Sequence, residues 1–231
     1  MMLKNLRFNW YKFAAFFLKS SQWLFKINTD YIYYAIKSHL KNKSGIILEI
    51  GSQNGEDTLK LSSLSSINKV FSFEPDPRLE SYLINKFKKI KNIIFYPYAV
   101  TNLKGSLKFY ASEIKGNNFK NSGSSSLLKS SHNDGINNVF EVQTIALNDI
   151  KEIKHNNILL IWVDVQGAEQ QVIESGKTFF FNSKLIWIEY GESKYEQFLS
   201  REETIKLFSN THYVSIFSNR SKRGNLLLVK K

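Results

Sequence analysis

The sequence predicts an α/β fold with a mostly parallel β-sheet, and three segments carry this prediction. Residues 46–74 consist of a short apolar run, a glycine-bracketed turn, a helical pattern and a second apolar run, which together are typical of a parallel β–α–β unit. Residues 158–165 and 185–190 are almost entirely apolar, as expected for strands buried on both faces of a parallel sheet. Ligands bind such sheets at the carboxyl ends of the strands.

The composition allows one domain with an appendage. The chain has 231 residues and is 42% hydrophobic, which is enough for a substantial core. It contains no cysteine, so disulfide bonds, cysteine nucleophiles and thiolate metal sites are excluded, and the composition fits a reducing cytoplasm. The formal net charge of +12 is compatible with a nucleic acid, an anionic membrane surface or an acidic substrate, and it does not choose among them.

Residues 1–44 form a segment of their own, ahead of a predicted domain over residues 45–231. Apolar and aromatic side chains recur at three- and four-residue spacing, with basic residues between them, which predicts an amphipathic helical extension. The longest apolar run, residues 13–18, is far shorter than the roughly 20 residues that span a bilayer, and no secretory cleavage site follows it. We expect the extension either to cap the sheet or pair with a second copy of the chain, or to lie on an anionic membrane through residues 1–26.

The turn after the first predicted strand is a candidate nucleotide site. Gly51 and Gly55 bracket this turn, and glycine lets a ligand approach the main chain closely. Glu74, at the end of the second strand, is placed to accept hydrogen bonds from a ribose diol. A dinucleotide would need further glycines at the positions of Gln53 and Glu56, so S-adenosylmethionine, which has a ribose and an ammonium group but no pyrophosphate, fits better. The alternative is an ordinary β–α–β unit without a ligand.

The remaining elements follow from the pattern of apolar and turn residues. The middle of the chain predicts a helix at 78–88 and strands at 92–96, continued by 98–100, and at 105–110 and 139–145. Residues 111–138 are rich in glycine, serine and asparagine, and we expect either a disordered surface loop or a lid on the substrate side. A helix at 201–209 and strands at 213–217 and 225–230 predict a closing antiparallel hairpin, and therefore a mixed sheet.

Acidic residues end four of the predicted strands: Glu49, Glu74, Asp164 and Glu189. Because the carboxyl ends of parallel strands meet at one edge of the sheet, we expect these acids to describe a polar cleft. A turn after Asp164 leads into a helix that starts near Glu169.

Six short motifs stand out along these elements. They are EIGSQNG at 49–55, FEP at 73–75, AV at 99–100, SSSL at 124–127, LNDI at 147–150 and WVDVQGAE at 162–169. Together they resemble the FkbM family of S-adenosylmethionine-dependent methyltransferases, and the run at 164–169 is the most specific of them. The resemblance covers about residues 46–189, and it implies a Rossmann-like class I methyltransferase fold with a seven-stranded, mostly parallel sheet and a C-terminal antiparallel hairpin.

The resemblance also implies which residues hold the cofactor. The loop from Glu49 to Gly55 would hold the methionine part, Glu74 the ribose and residues 99–100 the adenine, while Asp164 would face the sulfonium. The cofactor-binding residues expected in this way are Glu49, Gly51, Ser52, Gln53, Asn54, Gly55, Thr58, Glu74, Pro75, Ala99, Val100 and Asp164. The chain departs from the family pattern at Glu49, where many members have aspartate, and at Asn148, where an aspartate is usual.

Transfer of a methyl group to a hydroxyl needs a base. Asp164 is the first candidate, with Glu169 and Glu189 behind it as further catalytic candidates. For Glu169 the alternative is an acid that stabilises a helix N-terminus. The four histidines lack metal-type spacing, so no metal site is predicted, and His132 is the one histidine considered as a base.

FkbM members typically methylate hydroxyl groups of sugars, polyketides and related metabolites, and they are frequent in bacterial surface-polysaccharide gene clusters. The resemblance therefore implies an O-methyltransferase acting on a small molecule, glycan or glycolipid precursor at the cytoplasmic face of the membrane. A nucleic-acid methyltransferase would explain the basic charge, but an Asn-Pro-Pro-aromatic motif and cysteine are both missing. A nicotinamide oxidoreductase is disfavoured by the turn at Gly51. A non-catalytic cofactor-binding module with the same fold is the remaining alternative.

Overall fold

The computed structural model of the protein describes residues 24–64, 67–112, 123–129, 136–154, 156–191, 198–220 and 223–231. The chain divides into two compact units, Met1–Lys41 and Asn42–Lys231. Of the first unit the structure describes one helix, α1 (Leu24–Leu40), so the amphipathic pattern before residue 24 lies outside the described residues. Across the part of the chain that the structure describes, no helix combines the length and apolar character needed to cross a bilayer.

The second unit contains every described strand and the remaining described helices. The strands are β1 (Gly45–Ile50), β2 (Ile67–Phe73), β3 (Ile93–Tyr96), β4 (Ala99–Val100), β5 (Ser106–Ser112), β6 (Ile136–Ile145), β7 (Ile158–Val163), β8 (Leu185–Gly191), β9 (His212–Arg220) and β10 (Arg223–Lys230). The helices are α2 (Glu56–Ser62), α3 (Pro77–Phe87), α4 (Lys151–Lys154), α5 (Glu169–Ser175), α6 (Lys177–Asn182) and α7 (Arg201–Phe208), and a 3-10 turn covers Leu147–Asp149.

The main sheet has seven strands in the order β3-β2-β1-β7-β8-β10-β9. The first five strands of this order run parallel to one another, whereas β10 is antiparallel to both β8 and β9. The predicted mixed sheet with a C-terminal hairpin is therefore confirmed. Every residue of β1, β7 and β8 is buried, as expected for central strands covered on both faces.

A second, three-stranded sheet has the order β4-β6-β5. Residues 98–100 were expected to continue β3, and this expectation is wrong: Ala99 and Val100 form β4, which pairs in parallel with the end of β6. Pro97 separates the two strands and has no N–H to donate to a continuing ladder. The predicted strands at 105–110 and 139–145 are present as β5 and β6, and they pair antiparallel with each other.

The register of the main sheet brings four strand ends to one level. Ile50 pairs with Phe73 of β2 and with Val163 of β7, and Val163 pairs with Ile188 of β8. All four side chains belong to the central hydrophobic core. The residues that follow them in sequence therefore emerge together at the carboxyl edge, where the sequence predicts a cleft.

Part of the segment predicted as a loop or lid packs against the second sheet. Ser126 exchanges two backbone hydrogen bonds with Tyr110 of β5, with N···O distances of 2.8 and 3.0 Å. Residues 123–129 are therefore fixed beside β5. The ends of the predicted loop, residues 111–112 and 136–138, belong to β5 and β6 instead, and residues 113–122 and 130–135 lie outside the described residues.

Candidate active site

A cavity lies at the carboxyl edge of the main sheet and is open at its mouth, with about 850 Å³ of empty space when the solvent at the opening is included. Five stretches line it: residues 50–54, 73–75, 98–100, 123–127 and 162–168, although not every residue of the last two stretches faces the cavity. Asp57, Leu79 and Phe109 complete the lining.

The loop after β1 is anchored to both neighbouring strands. The N–H groups of Gly51 and Ser52 donate to the carbonyl of Phe73, at 2.9 and 3.0 Å. Gly51 has a φ of +90°, and a Cβ there would lie 1.9 Å from the carbonyl oxygen of Asp164. Only glycine avoids that collision, so the ends of β1, β2 and β7 stay in close contact beneath the cavity.

Glu74 is held by backbone donors on both of its oxygens. The N–H of Gln53 donates to Oε2 at 2.7 Å, and the N–H of Asp76 donates to Oε1 at 3.0 Å. Burial raises the pKa of Glu74 to about 7, against the opposing effect of these two donors. The carboxyl lines the cavity, and each of its oxygens retains a lone pair for a ligand hydroxyl.

Contacts from outside the cavity hold the tip of the loop that follows β1. Lys86 of α3 donates from Nζ to the carbonyl of Asn54 at 2.6 Å. A Cβ at Gly123 would lie 3.0 Å from Nε2 of Gln53, so the segment at 123–127 closes over the loop. Ser52 has a buried hydroxyl for which the described residues provide no hydrogen-bond partner, and it faces the cavity.

Asp164 follows the last residue of β7, and its side chain is exposed in the open cavity. The side-chain amide of Gln166 donates from Nε2 to Oδ1 of Asp164 at 2.6 Å. Desolvation in the cleft raises the pKa of Asp164, and the amide of Gln166 acts in the opposite direction.

Glu189 lies in β8, one strand away from Asp164. Its carboxyl is 9% exposed and accepts a hydrogen bond from Nε2 of Gln166 at 2.9 Å. Burial, together with the negative charges of Asp164 and Glu169, raises the pKa of Glu189 to about 9. Glu189 is not part of the cavity lining. Its connection to the cavity is the amide of Gln166, which donates hydrogen bonds to both Glu189 and Asp164.

Glu169 is completely buried, and its described hydrogen bonds do not reach the cavity. Its Oε1 accepts hydrogen bonds from the N–H groups of Gly167 and Val165, at 3.2 and 3.4 Å. Burial raises the pKa of Glu169 to about 7. The geometry thus places the carboxyl of Glu169 behind the turn that carries Asp164, where it accepts hydrogen bonds from the backbone of that turn.

Three of the expected cofactor-binding residues lie beneath the loop and do not line the cavity. Glu49 is 1% exposed and accepts hydrogen bonds from Thr58 and Ser72, and burial raises its pKa to about 8. Gly55 caps α2 with a φ of +72°, and a Cβ there would lie 2.4 Å from the ring of Phe87. Glu49, Gly55 and Thr58 therefore support the loop from below and are not part of the cavity lining.

The other expected residues surround the cavity. Gly51, Ser52, Gln53, Asn54, Glu74, Pro75, Ala99, Val100 and Asp164 all belong to its lining. Asp57, Trp162, Ser125 and Gln166 also line it, and reasoning from the sequence did not assign them. Strand alternation offered a signal for Trp162, because it lies two residues before Asp164 and so projects from the same face.

The charge of the cavity is opposite to that of the chain. Carboxyl groups of Asp57, Glu74 and Asp164 line it, and among the described lining residues there is no lysine or arginine. Such a site favours a cationic ligand and disfavours a pyrophosphate. Leu79, Phe109 and other apolar side chains supply a wall against which a flat ring can pack. No three histidine, aspartate or glutamate side chains in the described ranges come together as candidate metal ligands.

Several known proteins are similar to this chain. It is 28% identical over 205 residues to the 2-O-methyltransferase NoeI of Sinorhizobium fredii, covering 85% of this chain and 84% of the relative. Among solved structures, a methyltransferase FkbM from Methylobacillus flagellatus has a TM-score of 0.51 at 10% identity, covering 80% of this chain. This chain spans 43% of the length of that protein.

Two other solved structures show the same fold. An rRNA methylase from Streptococcus thermophilus has a TM-score of 0.50 at 11% identity, covering 87% of this chain and 95% of that one. A Streptococcus mutans protein in complex with SAH has a TM-score of 0.50 at 13% identity, covering 87% and 96%. The sequence model of the methyltransferase FkbM domain matches residues 49–220. With most of the chain matched, and with the strand order and the carboxyl-edge cavity of a class I methyltransferase, the chain belongs to the FkbM methyltransferase family.

Proposed function

We propose that the protein is an S-adenosylmethionine-dependent O-methyltransferase whose acceptor is a hydroxyl of a sugar, glycan or glycolipid precursor. The observation that carries the cofactor assignment is the acidic lining of the cavity by Asp57, Glu74 and Asp164. S-adenosylmethionine carries a sulfonium and an ammonium group, and both charges are stabilised by carboxylates. The SAH bound to the Streptococcus mutans relative supports the same cofactor class.

Specific residues are available for each part of the cofactor. Glu74 would accept hydrogen bonds from the ribose hydroxyls, and the apolar wall with Leu79 and Phe109 would pack against the adenine. Ser52 has a buried hydroxyl facing the cavity without a described partner, and a polar ligand group would satisfy it. Gly51 leaves the main chain open to close approach.

Asp164 is the group that suits a hydroxyl acceptor. When bound, S-adenosylmethionine supplies an electrophilic methyl group, and the electron pair of the broken bond leaves with its sulfur. The chain must hold the acceptor in line and remove the hydroxyl proton. Asp164 lies open in the cavity with a carboxylate oxygen available, so it is placed to accept that proton. The relative named as a 2-O-methyltransferase supports oxygen as the acceptor atom.

Calorimetric titration of the purified protein with S-adenosylmethionine, and separately with NAD, tests the cofactor assignment. We expect micromolar binding of S-adenosylmethionine alone. Transfer of a labelled methyl group to a panel of hydroxylated sugars, nucleotide sugars and lipid-linked sugars then tests the acceptor class. Binding without transfer to any acceptor would favour a non-catalytic module, and binding of NAD alone would overturn the proposal.

The proposed place of action is the cytoplasmic face of a membrane, where surface polysaccharide precursors are assembled. The basic amphipathic pattern of residues 1–26 supports this placement, or else a contact with a second copy of the chain. Sedimentation with anionic liposomes distinguishes the membrane contact from the contact with a second copy. It is measured for the full chain and for a chain lacking residues 1–26. Binding that is lost on truncation supports the membrane. A full-length chain that ignores the liposomes while truncation lowers its mass in light scattering supports the dimer.

A further inference from the structure

One side-chain amide joins two carboxyl groups at the carboxyl edge of the sheet. Nε2 of Gln166 donates to Oδ1 of Asp164 at 2.6 Å and to Oε2 of Glu189 at 2.9 Å. A primary amide nitrogen carries two hydrogens, so it can serve both acceptors at once. The reverse orientation of the amide would set its oxygen against the carboxylate of Asp164, which is repulsive. The chemistry of the three groups therefore fixes the orientation of the amide.

The backbone around Gln166 is held in an unusual conformation for a residue with a side chain. Gln166 has a φ of +55°, in the left-handed region that is unfavourable for a residue other than glycine. The hydroxyl of Ser126 donates to the carbonyl of Gln166 at 2.8 Å, and Glu169 accepts from the N–H of Gly167 at 3.2 Å. Two independent contacts thus maintain the strained turn that aims the amide at both acids.

Two carboxyl groups bridged by one amide are not independent. Strands β7 and β8 are paired in register, which places Asp164 and Glu189 at the same level on adjacent strands. Asp57 and Glu169 add negative charge from α2 and α5, and Arg223 of β10 is the cation that opposes them. Acids this close do not both ionise readily, so one of them retains a proton.

The environments of the two acids determine which one retains the proton. Glu189 is 9% exposed and lies next to Glu169, so its charged form is the more costly. Asp164 is exposed in the cavity, where water or a cationic ligand stabilises its charge. In agreement with this geometry, burial raises the pKa of both acids, and the contact between them raises that of Glu189 further while lowering that of Asp164.

Building on the proposed function, we propose that Asp164 and Glu189 form a dyad that holds one proton, and that Gln166 is the positioning residue that keeps it on Glu189. The carboxylate of Asp164 then faces the acceptor. In the reaction the O–H bond of the acceptor breaks and its proton passes to Asp164, while the acceptor oxygen bonds to the methyl carbon and the bond from that carbon to sulfur breaks, leaving its electron pair on sulfur. The proton leaves the dyad to solvent afterwards, which restores the starting state.

Infrared difference spectroscopy of the protein without ligand tests the dyad independently of turnover. At pH 7 the spectrum of the wild type minus that of Glu189→Gln should show one protonated carboxyl band, and the other buried acids should cancel. In Asp164→Asn the band of Glu189 should disappear at a lower pH than in the wild type, because the repulsion that holds the proton is gone. A difference spectrum without a protonated carboxyl band would overturn the dyad.

The role of Gln166 is tested with Gln166→Leu and with the less disruptive Gln166→Met. Gln170→Leu is the matched control, because Gln170 is exposed and bonds Glu174 on the surface of α5. Loss of the amide should move the acidic limb of the kcat/KM profile up by about one pH unit, and so lower kcat/KM about tenfold at pH values below that limb, since Asp164 loses a donor that favours its charged form. The control Gln170→Leu should change neither the pH of the acidic limb nor kcat/KM.

A purely structural role for Gln166 gives a different result. Thermal stability and KM would change, while the acidic limb and the infrared band would stay at the wild-type pH, and this outcome overturns the proposal. If the protein binds no S-adenosylmethionine, the proposed function fails, but the pH at which the infrared band disappears in Gln166→Met still decides whether the amide controls the dyad.

Discussion

Glu74 and Asp164 occupy equivalent places in the fold and have different partners. Each directly follows a parallel strand, β2 or β7, and each lines the cavity. The oxygens of Glu74 accept from two backbone N–H groups, whereas Asp164 accepts from a side-chain amide that also bonds a second acid. Backbone donors hold the carboxyl of Glu74 in place as a hydrogen-bond acceptor. The shared amide couples Asp164 to Glu189, which holds the proton of the proposed dyad. The position of an acid on the sheet edge therefore does not set its chemistry, and its partners do.

The largest expected effect comes from Asp164→Asn. The amide keeps the shape of the carboxyl but cannot accept the acceptor proton, so kcat should fall by about 10²- to 10⁴-fold. Stopped-time assays of methyl transfer at saturating S-adenosylmethionine measure this loss, and calorimetry should show a smaller change in cofactor affinity. Asp149→Asn, at an exposed site paired with Lys104, is the matched control. A variant with normal turnover and weak cofactor binding would reverse the roles of Glu74 and Asp164.

Glu74→Ala tests the other side of the comparison. Removing a charge-assisted acceptor should weaken S-adenosylmethionine binding by about 1.5–3 kcal/mol, or roughly 10- to 150-fold. Because the pKa of Glu74 is raised to about 7, affinity in the wild type should fall as the pH drops below about 7 and the carboxyl becomes protonated, and the variant should lose this pH dependence. Titration calorimetry at several pH values measures both effects. Glu141→Ala, at an exposed position of β6, should behave as the wild type, and equal binding by Glu74→Ala would remove the ribose assignment.

Glu49→Gln tests whether Glu49, unlike Glu74 and Asp164, acts only on stability and not on the cavity. The folded-state pKa of Glu49 is raised to about 8, so its contribution to stability is complete below its ordinary pKa of 4.5 and is lost as the pH rises through 8. The variant cannot ionise, so at pH 8 it should resist urea better than the wild type by on the order of 1–2 kcal/mol. Unfolding curves at pH 5 and pH 8 measure the difference. An unchanged pH dependence of stability, or a large loss of cofactor affinity, would contradict this placement of Glu49.

The smallest expected effect is that of Ser126→Ala, which acts on the turn that carries Gln166. Losing the hydrogen bond from Oγ to the carbonyl of Gln166 should cost about 0.5–1.5 kcal/mol of stability. It should also lower kcat/KM several-fold, with a smaller effect on cofactor affinity, since the turn serves Asp164 and not Glu74. Ser63→Ala is the control, because its hydroxyl donates to a carbonyl on the exposed end of α2. Equal effects of both variants would mean that the turn does not depend on Ser126.

Reasoning from the sequence succeeded where the signal is local. The apolar runs at 158–165 and 185–190 became β7 and β8, and Pro77 begins α3 behind the Asp76 cap, as the proline and the strand end predict. The prediction that Ala99 and Val100 continue β3 was wrong. They pair instead with β6, which is more than 40 residues away in the sequence, and local patterns do not reveal such a partner. Glu49 and Gly55 were assigned by their place in the motif at 49–55, which does not reveal that both are buried beneath the loop.

The sequence by itself determined the class of fold, the edge of the sheet where the cavity lies, and the presence of acids along that edge. These follow from hydrophobic periodicity and turn residues, which act over a few positions. The tertiary structure decided which acids face the cavity and what each one bonds. Gln53 and Glu74 are 21 residues apart, Gln166 and Glu189 are 23 apart, and Ser126 and Gln166 are 40 apart. Contacts at such separations depend on strand register and chain packing, so the chemistry of each carboxyl is settled only when the sheet has formed.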